Sequence, residues 1–133
     1  MRSAFLIASR SELAGLPEAL ITLQVEAQGR DYAARYPHAD EQIVIRDGRA
    51  VGRLWVDRRD DHWRLIDIVL LPAVRGAGLA TRLLTGLVAD ASRAGVPVRL
   101  TVARDNDARR LYARLGFATV AEEGLWVLME RPI

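Results

Sequence analysis

The spacing of apolar residues changes several times along the chain, and each change predicts an element. From residue 16 to residue 36, Leu16, Leu20, Leu23 and Ala27 recur three and four apart, which predicts a helix ended by Pro37. Two strand-like runs follow, Gln42 to Arg46 and Ala50 to Asp57, joined by Asp47-Gly48. Asp-Gly between such runs signals a hairpin, because its turn needs positive φ angles. The charged stretch Arg58 to Asp61 predicts the next turn. Leu65 to Leu71 is a nearly continuous apolar run stopped by Pro72, which predicts a strand buried on both faces.

The clearest helix comes next. Leu79, Ala80, Leu83, Leu84, Leu87, Val88 and Ala91 form one stripe, Arg82, Asp90 and Arg93 face away, and Gly95 is placed to end it. Pro97 to Ala103 then alternates, with Val98, Leu100 and Val102 on one face. Strand, helix and strand in that order make a βαβ unit with parallel strands. Asn106 or Asp107 can cap a short helix carrying Ala108, Leu111, Tyr112 and Leu115, closed by Gly116. Phe117 to Glu122 and Leu125 to Glu130 predict a last hairpin around Glu123-Gly124. The order predicts a mixed sheet covered by helices, in the α/β or α+β class. At 133 residues the chain is the size of one domain, spanning residues 1–133.

Composition narrows the function. Half the residues are apolar and the formal charge is +2, too small to point to nucleic acid or a membrane surface. The isoelectric point of 9.6 reflects a set of basic residues that is all arginine and no lysine. There is no cysteine, and the two histidines, His38 and His62, stand far apart, so no metal site is expected. No apolar run approaches membrane-spanning length, and the expected location is the cytoplasm. The lysine-free, Ala/Arg/Leu-rich composition fits a bacterial genome rich in G and C.

Two stretches carry candidate chemistry. Arg75-Gly76-Ala77-Gly78-Leu79-Ala80 lies between the apolar strand and the best helix. Free N–H groups at a helix start favour an anion there, and glycine lets the backbone approach phosphate oxygens. Such a turn either binds an anion or only turns the chain. It lacks the Gly-Lys-Ser/Thr of a nucleoside-triphosphate loop, and Thr81 stands where a dinucleotide loop needs its third glycine. The second stretch is Asn106 to Phe117. Tyr112 there is either a core residue or a hydroxyl at a cleft edge, and Asn106 either a cap or a ligand contact.

Together the two stretches resemble the GNAT superfamily of N-acetyltransferases. Its signature Arg/Gln-x-x-Gly-x-Gly/Ala is matched by Arg75, Gly78 and Ala80. Its later signature Asn-x-x-Ala-x-x-Leu-Tyr-x-x-x-Gly-Phe is matched by Asn106, Ala108, Leu111, Tyr112, Gly116 and Phe117. The resemblance, which runs from about Ile43 to Met129, implies a mixed sheet whose two parallel central strands splay apart. It also implies acetyl transfer from acetyl-CoA to a primary amine by direct attack.

Residue by residue, the resemblance implies that the backbone of Ile68, Val69 and Leu70 pairs with the pantetheine arm. The N–H groups from Arg75 through Gly76, Ala77, Gly78 and Leu79 to Ala80 would hold the pyrophosphate, and Asn106 would contact the cofactor arm. Tyr112 would be the general acid for the departing thiolate. Asp67, inside the apolar strand, is a candidate base whose pKa burial would raise, or else it pairs with an arginine. Trp55 and Asp57 share a strand face and would line the acceptor pocket, with Gln28, Tyr32 and Glu26 on the bordering helix. Arg109 and Arg110 either reach the cofactor's outer phosphate or are solvated.

The resemblance departs at the N-terminus. Phe5-Leu6-Ile7-Ala8 comes at once and is expected to open the first helix, with the family's first strand missing or shortened. The acceptor, a small-molecule or peptide amine, stays open. A homodimer is expected if Leu125 to Met129 forms an exposed edge. The rival reading is a catalytically silent acyl-CoA-binding or regulatory domain of the same fold, and a third is a purely structural domain.

Overall fold

The computed structural model describes residues 5–9, 36–76 and 78–133. In chain order the elements are β1 (Phe5–Ser9), β2 (Asp40–Arg46), β3 (Arg49–Arg58), β4 (Trp63–Leu70), α1 (Leu79–Ala94), β5 (Val98–Ala103), α2 (Ala108–Arg114), β6 (Ala118–Glu123) and β7 (Trp126–Arg131). Hydrogen bonding orders the strands β1-β2-β3-β4-β5-β7-β6. β4 and β5 run parallel, whereas β1–β2, β2–β3, β5–β7 and β6–β7 are antiparallel. This is the mixed α/β sheet expected from the element order. The helix expected over residues 16–36 lies outside the described residues.

Two compact units arise, residues 1–57 with 66–77 and residues 58–65 with 78–133. The first is built on β1, β2, β3 and the end of β4. Its β2–β3 turn is the predicted one, with Asp47 at φ 54° and Gly48 at φ 76°. The expectation that Phe5 to Ala8 opens a helix is overturned: β1 pairs Leu6 with Ile45, Ile7 with Val44 and Ala8 with Ile43. An apolar run beside an equally apolar strand gains a backbone ladder, and that long-range partner decides its form.

The burial of β3 and β4 also corrects expectation. Ala50 to Asp57 on β3 is buried throughout, while β4 buries Leu65 and Leu70 and leaves the residues between them half-buried. Gly52 explains how closely the two strands pack. A Cβ there would stand 2.6 Å from Leu70 Cδ2 and 2.8 Å from the Val69 carbonyl oxygen.

The second unit forms around α1. Leu79, Leu83, Leu84, Leu87, Val88 and Ala91 are its buried face, six of the seven residues of the stripe read from the sequence, and the seventh, Ala80, is half-buried. Gly95 ends the helix at φ 77°, its N–H donating to the carbonyls of Ala91 and Ser92. Val98, Leu100 and Val102 of β5 are buried, as are Val127 and Met129 of β7. The hairpin β6–β7 follows, but β7 lies between β5 and β6. The Leu125–Met129 run is therefore no free edge. β6 is the edge strand of this unit, and all six of its residues are exposed.

Candidate active site

In the first unit, β4 ends at Leu70 and a 3-10 turn, Pro72–Val74, leads to Arg75. Ile68 and Val69 are half-buried, and the Leu71 N–H donates to the Val51 carbonyl at 2.8 Å. Arg75 turns back: its Nε donates to the Leu70 carbonyl at 2.9 Å, which ties the turn to the end of the strand. Of the backbone groups expected to meet the pantetheine arm, the Leu70 carbonyl is thus already engaged. Gly76 has φ 81°, a left-handed conformation that a Cβ would strain.

On the second unit the same turn ends in Gly78, the N-cap of α1, with φ 76°. Its carbonyl accepts from the Arg82 N–H at 3.1 Å. Leu79 is buried and Ala80 half-buried. A Cβ at Gly76 or at Gly78 would meet nothing within 4 Å, so both glycines face open space. In the second unit, positive φ at Gly78, open space and the sixteen-residue helix that it caps suit an anion held by backbone N–H groups. Ala77 lies outside the described residues.

The charged groups of the first unit were only half anticipated. Asp67, half-buried on β4, accepts from Arg53 Nη2 at 3.4 Å, and Arg53 Nη1 donates to Glu41 Oε2 at 3.1 Å. Arg53 is fully enclosed, and its Cζ sits 5.1 Å from the centre of the Trp55 ring. Burial raises the Asp67 pKa above the ordinary carboxylate value, while the Arg53 charge, its hydrogen bond and the Ile68 N–H pull it back. Asp57 is buried on the same strand as Trp55. Arg53 and Glu41 were missed from the sequence, although Arg53 is two residues from Trp55 and so in phase with it on β3. Gln28, Tyr32 and Glu26 lie outside the described residues.

In the second unit Tyr112 is buried on α2, its ring 5.7 Å from that of Phe117 and tilted by 60°. Asn106 is exposed, and its Oδ1 accepts from the Ala108 N–H at 2.9 Å. It is thus the residue whose side chain caps the start of α2, whereas the formal N-cap, Asp107, makes no side-chain cap bond. Asn106 also stands two residues before Ala108 where the signature has three, so Asp105 holds the position counted back from Tyr112. Arg109 donates from Nη1 to the Arg104 carbonyl at 2.7 Å, and Arg110 is exposed. With Asn106, Phe117 and Met129 they line an open hollow of about 480 Å³.

The sequence pattern of the Acetyltransferase (GNAT) family matches residues 10–117. The chain belongs to this family. No curated protein sequence matches it. Solved GNAT structures share the fold at low identity. A GNAT family acetyltransferase from Elizabethkingia anophelis, with acetyl-CoA bound, is 12% identical with a TM-score of 0.77, covering 99% of this chain and 100% of the other. The ribosomal-protein-S18-alanine N-acetyltransferase from Escherichia coli is 22% identical with a TM-score of 0.77, over 98% of this chain and 94% of that one. The PaiA N-acetyltransferase from Thermoplasma acidophilum, in complex with coenzyme A, is 14% identical with a TM-score of 0.69, over 98% and 99%. For this GNAT chain, no described helix is long and apolar enough to cross a membrane.

Proposed function

We propose that this GNAT chain is an N-acetyltransferase, a single catalytic domain over residues 1–133 that moves an acetyl group from acetyl-CoA to a primary amine. The observation that carries the reading is the turn into α1, where Gly76 and Gly78 both hold positive φ and face open space. The N–H groups of residues 75–80 would hold the pyrophosphate there. The family's coenzyme-bound relatives support the same ligand. β4 runs on to Leu70 beyond Leu65, the last residue of its ladder with β5. That supports a pantetheine arm paired along Ile68 and Val69.

Bound acetyl-CoA supplies a thioester, whose carbon takes the amine nitrogen as its carbon–sulfur bond breaks. The protein's own groups handle the protons and the charge. Asp67 accepts the proton that an ammonium acceptor must lose before it can attack. A β4 backbone N–H donates to the carbonyl oxygen as negative charge develops there. The Tyr112 hydroxyl gives its proton to the leaving sulfur, and the phenolate so formed takes the second proton that the new amide nitrogen sheds. Trp55 and Asp57, with Gln28 and Tyr32, line the acceptor side. Asn106 is retained as a cofactor contact through its exposed position at the start of α2, although its Oδ1 already serves the helix. The reading includes a cytoplasmic location, where acetyl-CoA is made and used. It also includes a homodimer, with β6 rather than β7 as the pairing edge.

Thiol release from acetyl-CoA tests this, across a polyamine, an amino acid, an amine antibiotic and a peptide N-terminus. Wild type is expected to turn over at least one of them, and Tyr112→Phe to lose roughly 10²-fold or more in kcat. Tight coenzyme A binding without turnover on any amine would establish the silent acyl-CoA-binding domain instead. Equal turnover in both proteins would remove Tyr112 from the chemistry.

A further inference from the structure

Strands β2, β3 and β4 bring charged groups together on one face of the first unit. The Arg53 guanidinium is closed off from solvent, with Nη1 3.1 Å from Glu41 Oε2 and Nη2 3.4 Å from Asp67 Oδ2. Its Cζ lies over the Trp55 ring, 5.1 Å from the centre. A buried ion cluster of this kind is a poor source of stability, because an apolar side chain of similar volume would fill the space without the desolvation cost. What the cluster does provide is geometry: a guanidinium is a rigid fork with fixed donor directions. Glu41 and Trp55 hold that fork from two sides, and its other arm meets Asp67, the more exposed of the two carboxylates. Asp67 retains 22% side-chain exposure where the Arg53 side chain has none.

We propose that Arg53 is the positioning residue of the acceptor site: anchored by Glu41 and Trp55, it fixes one carboxylate oxygen of Asp67 and leaves the other to meet the acceptor ammonium. This rests on Asp67 taking the acceptor's proton. Arg53 acts through Asp67 and does not touch the reacting atoms.

The electrostatics give the role a signature that packing alone would not produce. Among the described residues, Arg53 on β3 meets the Asp67 carboxylate directly, and Glu41 on β2 meets the other arm of the same guanidinium. Burial favours the protonated form of Asp67, and Arg53 opposes it by charge and hydrogen bond. Glu41 competes for the same guanidinium and repels the Asp67 charge. Removing Arg53 and removing the Glu41 charge therefore push the Asp67 titration in opposite directions.

The test is a carbon-13 NMR titration of the aspartate carboxyls in the full chain, with the Asp67 signal assigned by its loss in Asp67→Asn. Arg53→Met is expected to move the Asp67 midpoint to higher pH, and Glu41→Gln to lower pH. Arg53→Lys, which keeps the charge, is expected to restore part of the Arg53→Met shift. If Arg53→Met does not fold, the nearly isosteric Glu41→Gln carries the test by itself. A midpoint unmoved in Glu41→Gln overturns the proposal. Thiol release with an accepted amine separates this from the proton-transfer reading, since Asp67→Asn is expected to lose about 10²-fold in kcat/KM. Full turnover in Asp67→Asn, even with the midpoints shifted, removes the base and with it the positioning role.

Discussion

β3 and β4 are joined by a short turn, yet their letters and their surroundings disagree in opposite senses. β3 carries Arg49, Arg53, Asp57 and Arg58 among its apolar residues, and Ala50 to Asp57 is nevertheless buried throughout. β4 is the more apolar strand, but between Leu65 and Leu70 it is only half-buried. The difference shows that an apolar run records what a strand must hide, while burial depends on what its neighbours supply. On β3 the Arg53 charge is hidden because partners reach it: Glu41 and Asp67 meet its guanidinium. On β4 the parallel ladder joins Trp63, Arg64 and Leu65 to Val98, Arg99 and Leu100, and the strand then runs on.

The largest effect that would test this contrast is loss of the β3 guanidinium. Arg53→Met leaves the Glu41 and Asp67 carboxylates without this partner, and about 3–5 kcal/mol of stability is expected to go. Urea unfolding measures it. Adding Glu41→Gln to the same chain is expected to return much of the loss, since one stranded charge then disappears. A small cost in the single variant would mean that water serves both carboxylates as well as the enclosed guanidinium does, and the comparison would fail.

The apolar residues give the next step. Leu54 on β3 is 1% exposed, and Leu54→Ala is expected to cost about 2–5 kcal/mol. Ile68 on β4 is half-buried, so Ile68→Ala should cost about 1–2 kcal/mol. Equal losses by urea unfolding would erase the distinction between the strands. Gly52→Ala probes their close approach, because the new Cβ would meet Leu70 Cδ2 at 2.6 Å and the Val69 carbonyl at 2.8 Å. The backbone oxygen cannot swing aside, and about 1–3 kcal/mol is expected to be lost.

Elements that depend on near neighbours in the chain were legible in the letters. The α1 stripe, its Gly95 end, the Asp47-Gly48 turn and the alternation of β5 needed only periodicity and the conformational freedom of glycine. The Arg75–Ala80 turn was legible for the same reason, since its glycines announce the positive φ that they adopt. What needed a distant partner was not legible. Phe5 to Ser9 becomes a strand because Ile43, Val44 and Ile45 lie beside it. Arg53 becomes an interior residue because β2 and β4 each bring it a carboxylate. Asn106, by contrast, was legible as a cap, and its side chain does serve the start of α2 two residues on.

The smallest effect expected is also the most specific to Asp67. Its folded pKa lies above the ordinary value of 3.8, chiefly because burial disfavours the charge. Folding therefore favours the protonated carboxyl, so this group's contribution to stability is complete below the unfolded value and is lost as pH rises through the folded one. Asn at this position is neutral at every pH and escapes that loss. The thermal midpoint of Asp67→Asn, measured against wild type, is expected to gain across the interval from the ordinary to the raised value and to level off above it. A gap that does not change with pH would mean that Arg53 fully offsets the burial of Asp67. β4 would then hold its charge as securely as β3 holds the guanidinium, and the two strands would differ in their apolar residues alone.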